Sequence, residues 1–201
     1  VVTASSFSGN GSALTGIAAT DNINTSTLAQ FTGGVGIADS IFHIGDDNTA
    51  IRFPGNDTFT VETAGDEAFR VDSSQRLLLG LTAARSIADG TPKFQVEGTA
   101  GTASLGLVRN QNNSGGSNLS FAKSRSASLG GSTIVQDDDT LGSINFAGAD
   151  GTDINSIAAS IIAAVDGTPG GNDMPGRLVF KTTADGAASA TERIRITSAG
   201  R

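Results

Sequence analysis

The chain has 201 residues, 13 basic and 20 acidic, for a net charge of -7 and a pI near 4.5, a balance that repels phosphate backbones and argues against a nucleic-acid partner. Only 37% of residues are hydrophobic, roughly half of all positions are Gly, Ala, Ser or Thr, and the ten Phe are the only aromatics. No run approaches the roughly 20 apolar residues of a membrane helix, and the absence of Cys removes disulfides, thiolate catalysis and zinc-thiolate sites.

The first thirty residues, VVTASSFSGNGSALTGIAATDNINTSTLAQ, scatter Phe7, Leu14 and Ile17 among small polar residues and read as extended or disordered in isolation. With neither a Met start nor a signal segment at VVTASSFSGN, the sequence reads as part of a longer chain. Further on, period-2 alternation recurs in short bursts. TFTVET places Phe59 and Val61 on one face, AFRVD places Phe69 and Val71 there, and KFQVEG does so with Phe94 and Val96. SLGLVR (Leu105, Leu107), NLSFAKS (Leu119, Phe121), GSINFAG (Ile144, Phe146), GRLVFKT (Leu178, Phe180) and ERIRIT (Ile194, Ile196) follow the same rule and are predicted strands.

Turn signals lie between them: Asp-Gly pairs at Asp89, Asp150, Asp166 and Asp185, PGND at Pro54 to Asp57, NSGGS at Asn113 to Ser117, and TPGGNDMPG at Thr168 to Gly176. In INSIAASIIAAVDG the spacing of Ile157, Ile161 and Val165 suits a helix and a strand equally. A strand is preferred, because Asp166-Gly167 closes the run like other strand ends and no N-cap box precedes it. Many short strands joined by tight turns predict an all-β fold. So lean a chain cannot readily offset its backbone entropy by itself, and association with copies of itself is the remedy.

One phrase occurs twice. EAFRVDSSQR and ERIRITSAGR align Glu67 with Glu192, Phe69 with Ile194, Arg70 with Arg195, Val71 with Ile196, Ser73 with Ser198 and Arg76 with Arg201, as a repeated strand unit would. The first copy runs on into LLLG, so a further strand is expected beyond Arg201.

Several phrases resemble the modular tail-fibre and virion-appendage proteins of tailed bacteriophages, especially marine phages of cyanobacteria. VVTASSFSGNGSALTGI resembles a stalk repeat, and GVGIADSIFHIGDDNTAIRFPGNDTFTVETAGDEAFRVDSSQRLLLG a second module. KFQVEGT through LSFAKSR, DTLGSINFAGADGTDI, VDGTPGGNDMPGRLVFKTTADG and TERIRITSAGR resemble a third. The resemblance implies an elongated homotrimeric fibre of β-prism or intertwined β-helix type on the outside of a virion. It divides the chain into a slender stalk at 1–33, a β module at 34–90 and a second at 91–201, truncated at its C-terminal end and separated from the first near LTAARSIADGTP.

Shared trimer-core positions are then Phe59, Val61, Phe69, Val71, Phe94, Val96, Phe121, Ile144, Phe146, Phe180, Ile194 and Ile196. The implied partners are two further copies and other tail or capsid proteins, with a host surface glycan or protein engaged through another region and no membrane insertion. The expected role is a non-enzymatic spacer. Its rivals are a receptor- or glycan-binding module, a polysaccharide depolymerase and a bacterial adhesin stalk.

Residues of possible chemistry have plainer readings. Three copies of His43 could meet on a trimer axis and hold a transition metal, but a lone strand histidine is more often packed or solvated. Asp46-Asp47 and Asp137-Asp138-Asp139 lack the alternating spacing and distal Glu of a calcium loop. GGVGIAD has Asp39 where a dinucleotide fingerprint needs Gly. Asp150 and Asp153 are the candidate carboxylate pair of a depolymerase, with nothing to set them apart from turn carboxylates. Without Trp or Tyr the chain lacks the usual sugar-stacking faces. No catalytic residue, metal or cofactor is predicted.

Overall fold

The structure, a computed structural model, describes residues 33–88 and 90–201. The stalk with Phe7, Leu14 and Ile17, and the turn residue Asp89, lie outside them. The chain divides into two units, Val1–Ile37 and Ala38–Arg201. All ten strands found among the described residues belong to the second unit, and no helix occurs among those residues.

The first sheet follows the chain: β1 (Ser40–His43), β2 (Asp46–Gly55), β3 (Thr58–Thr63), β4 (Asp66–Val71), β5 (Leu77–Leu79) and β6 (Phe94–Val96). β1 to β5 form an antiparallel meander. The β3–β4 turn is Ala64-Gly65, both left-handed at φ 56° and 84°, the geometry whose twist matches a two-residue hairpin. The predicted PGND turn joins β2 to β3, with Asp57 left-handed at φ 56°. β6 runs parallel to β5, which requires a crossover, and its described residues, 80–88 and 90–93, contain no helix. The sheet thus extends past the division placed at 90/91 in the sequence and takes in Phe94 and Val96.

The second sheet is an antiparallel meander of β7 (Thr140–Gly148), β8 (Ser156–Val165), β9 (Gly176–Thr182) and β10 (Thr191–Ile196). The ambiguous Ile/Ala run is β8, a strand. Asp166-Gly167 ends it as expected, with Gly167 at φ 130°. Both sheets are open.

Two predicted strands do not form. SLGLVR and NLSFAKS lie in segments without strand pairing, and Leu105, Leu107, Val108, Leu119 and Phe121 are exposed. Alternation marks the two faces of an extended segment but supplies no edge for its N–H and C=O groups to pair with. These segments find no such edge among the described residues. β1 and β2 were not singled out in the sequence; Ile41, Ile51 and Phe53 were their faint signal.

Candidate functional site

Register determines what each sheet presents. Across the first sheet the paired residues Ile41, Ile51, Val61, Phe69, Leu79 and Val96 form one unbroken apolar row over six strands. A second row beside it joins Phe59, Val71, Leu77 and Phe94. Phe59 and Phe69 meet edge to face, with ring centroids 6.4 Å apart. The second sheet repeats the arrangement. Ile144, Ile161, Phe180 and Ile194 make one row, and Gly142, Ala163, Leu178 and Ile196 another. Gly142 is needed there, because a Cβ on it would lie 2.6 Å from the Cβ of Phe121.

The predicted core positions are therefore brought together, ten of them in these rows, with Phe121 and Phe146 beside them on the second sheet. Within the single chain they remain uncovered. Phe59, Phe94, Phe121, Ile144, Phe146, Ile194 and Ile196 are all exposed, Ile194 by 60%, while Val61, Phe69, Val71, Val96 and Phe180 are half-buried. A shallow apolar groove of about 260 Å³ runs over Phe121, Leu141, Ile144, Ile161 and Leu178. Single exposed apolar residues are ordinary, but contiguous rows mark a binding surface.

The covered face of the first sheet is the polar one. Its row reads Ser40, Arg52, Thr60, Arg70, Leu78 and Gln95. Thr60, Leu78 and Gln95 are buried on it. Gln95 clamps the crossover, its Nε2 donating to the carbonyls of Arg85 (3.2 Å) and Pro92 (3.1 Å) and its Oε1 accepting from Arg85 N–H (3.2 Å). Arg70 donates to the Thr82 carbonyl at 2.7 Å. The polar faces also carry the repeated Glu-Arg pairs, Glu67 with Arg70 and Glu192 with Arg195, each held by two hydrogen bonds.

No family model and no curated protein matches this chain. Solved structures do. The carboxy-terminal domain of the bacteriophage T5 L-shaped tail fibre superposes with a TM-score of 0.57 at 17% identity, covering 77% of this chain and 71% of that one. The same domain with its intra-molecular chaperone domain gives a TM-score of 0.56 at 18% identity, covering 77% of this chain and 49% of the longer one. The fold is that of a phage tail-fibre domain.

Within this tail-fibre fold the acidic run Asp137 to Asp139 is a structural knot. Asp137 accepts from Gly167 N–H at 2.8 Å, Asp138 pairs with Arg177 at 2.5 Å, and Asp139 takes Arg125 through both carboxylate oxygens at 2.6 and 2.8 Å. The Arg125 guanidinium and the Gln136 N–H hold the Asp139 carboxyl far below its ordinary range. Asp166 is lowered by the Ser198 N–H at 2.8 Å and by Arg177, which fastens the end of β8 to the segment after β10.

Asp150 is likewise engaged. Its Oδ1 accepts the N–H groups of Thr152 and Asp153 and its Oδ2 the hydroxyl of Ser156, and these bonds lower its pKa, opposite to the raised value of a general acid. Asp153 accepts the N–H of Asn155 at 2.8 Å. Both carboxylates line a polar hollow with Asn145 and Lys181. His43 is exposed at the end of β1, and among the described residues no three His, Cys, Asp or Glu side chains gather as metal ligands. No helix among the described residues is long and apolar enough to cross a membrane.

Proposed function

We propose that the chain is a structural shaft or spacer segment of a phage tail fibre, or of another virion fibre, and that it works as a homotrimer. The observation that carries this reading is the apolar row crossing all six strands of the first sheet, half open to water. Three chains turning such faces toward a common axis bury them together in a core that one chain cannot make, of β-prism or intertwined β-helix type. The seven exposed core positions are each about half uncovered, so covering them contributes about 1 kcal/mol apiece. The unpaired extended segments SLGLVR and NLSFAKS find strand edges on neighbouring copies. The small residues Gly142 and Ala163 let chains approach closely.

The likeness to a T5 tail-fibre domain supports placing the trimer on a virion, and the sequence phrases favour a marine phage. The segment is non-catalytic and binds no cofactor. It is joined to other tail or capsid proteins, while host glycan or protein is engaged by another region. The deciding measurement is native mass by light scattering after size exclusion. A species of three times the 20.1 kDa chain mass supports the trimer. A monomer overturns it and moves a receptor- or glycan-binding module to first place.

A further inference from the structure

An Asp-Gly pair is a place where a protein backbone can rearrange. Glycine has no side chain to shield its nitrogen, so that nitrogen can attack the side-chain carbon of the preceding aspartate and close a five-membered imide. The described residues hold three such pairs, at Asp150, Asp166 and Asp185, alike in sequence. Tertiary structure makes them unlike. The Asp150 carboxyl is held by the N–H groups of Thr152 (2.9 Å) and Asp153 (3.2 Å) and by the Ser156 hydroxyl (2.8 Å), bonds that rotation of the carboxyl would break. At Asp166 both reactants are held. The carboxyl accepts Ser198 N–H at 2.8 Å and Arg177 at 3.3 Å, and the nucleophile, the Gly167 N–H, is donated to Asp137 at 2.8 Å. The same bonds favour the ionised form of both carboxyls, and a carboxylate is a poorer electrophile than a carboxylic acid.

Asp185-Gly186 has none of these restraints. It lies in the connection between β9 and β10, in a turn closed by Ala187 N–H donating to the Ala184 carbonyl at 3.0 Å. Gly186 stands third in that turn at φ 77°, the type II position, whose N–H takes no part in the turn's own bond. Both residues are exposed, and neither the Asp185 carboxyl nor the Gly186 N–H has a partner among the described residues. We propose that Asp185 is the site, among these three pairs, at which the folded chain converts aspartate to isoaspartate. The Gly186 nitrogen bonds to Asp185 Cγ while its proton and the carboxyl hydroxyl leave as water, giving the imide. Water then adds back. Opening at Cγ restores aspartate; opening at the Asp185 main-chain carbonyl leaves the backbone running through the side chain, longer by a methylene and unchanged in mass. The turn lies outside both sheets, so strand pairing survives the change.

The test is to age the whole folded chain near neutral pH, digest it with trypsin, and locate isoaspartate by electron-transfer fragmentation. Peptide 182–193 carries Asp185, and peptide 126–177 carries Asp150 and Asp166. Isoaspartate accumulates at Asp185 at least about tenfold faster than at Asp150 or Asp166, because the tied pairs react only through local opening. The same chain aged in urea loses that preference. Asp185→Glu, whose longer side chain cannot close a five-membered ring, leaves peptide 182–193 free of the product with native mass unchanged. Equal rates at the three pairs in the folded chain overturn the assignment. A preference for Asp185 that persists in urea belongs to the sequence and not to the fold, and overturns it as well.

Discussion

Truncating Ile194 to alanine distinguishes an open apolar face from one covered by neighbouring chains. Ile194 ends the row Ile144, Ile161, Phe180, Ile194 and is 60% exposed in the single chain. A fully buried Ile→Ala change costs about 2–5 kcal/mol, so with only about two fifths of the side chain out of water a lone chain loses about 1–2 kcal/mol. If copies cover the row, the full cost applies in each chain and is felt three times per assembly. Leu78→Ala is the internal reference. Leu78 is 0% exposed within its own chain, so its loss costs about 2–5 kcal/mol whatever the association state. The assay is urea unfolding of both variants and the parent over about a hundredfold range of protein concentration, because an unfolding midpoint that rises with concentration is the signature of linked association. The expected outcome is a cost at Ile194 comparable to that at Leu78, with concentration-dependent midpoints. A cost near 1 kcal/mol at Ile194, with midpoints that ignore concentration, would refute the shared core.

Two further outcomes follow from the same structure. Gly80 leads from β5 into the crossover at φ 75°, and a Cβ on it would collide with the Glu97 backbone carbonyl, so Gly80→Ala is expected to lower stability by about 2 kcal/mol or more, measured by the urea midpoint. The carboxyls of Asp139, Asp150, Asp166 and Glu192 all titrate below their ordinary values of 3.8 for Asp and 4.5 for Glu. A carboxyl lowered in the folded state stabilises it fully above the unfolded-state value and loses that contribution as pH falls through the folded value. Stability is therefore level above about pH 6 and falls progressively below about pH 4. Asp139→Asn flattens part of that acid limb in a urea titration across pH. A stability that rises on acidification would contradict the arrangement.

Much of this arrangement is local, and local features are legible in a sequence. Side chains alternate along any strand, so the sharing of a face by Phe59 with Val61, or by Ile194 with Ile196, follows from spacing alone. The β8 assignment rests on the same ground, and Asp166-Gly167 decides it because that pair ends strands for a backbone reason. The repeated phrase is legible too, since Glu and Arg three residues apart with a one-residue shift between them reproduce one strand and one turn. Pairing is not local. Nothing in SLGLVR or NLSFAKS reveals that these segments lack a partner edge within the described residues, because alternation describes faces and says nothing of neighbours. Only the tertiary register aligns Ile41, Ile51, Val61, Phe69, Leu79 and Val96 into a single row. Only the parallel seating of β6 brings the crossover onto the polar face, where Gln95 holds Arg85 and Pro92. That crossover is the physical reason the single chain covers the polar side of its first sheet and leaves the apolar side half open to water. Likewise the run Asp137 to Asp139, bland as a turn in sequence, becomes a knot through Arg125, Gly167 and Arg177, residues its spacing could not have named.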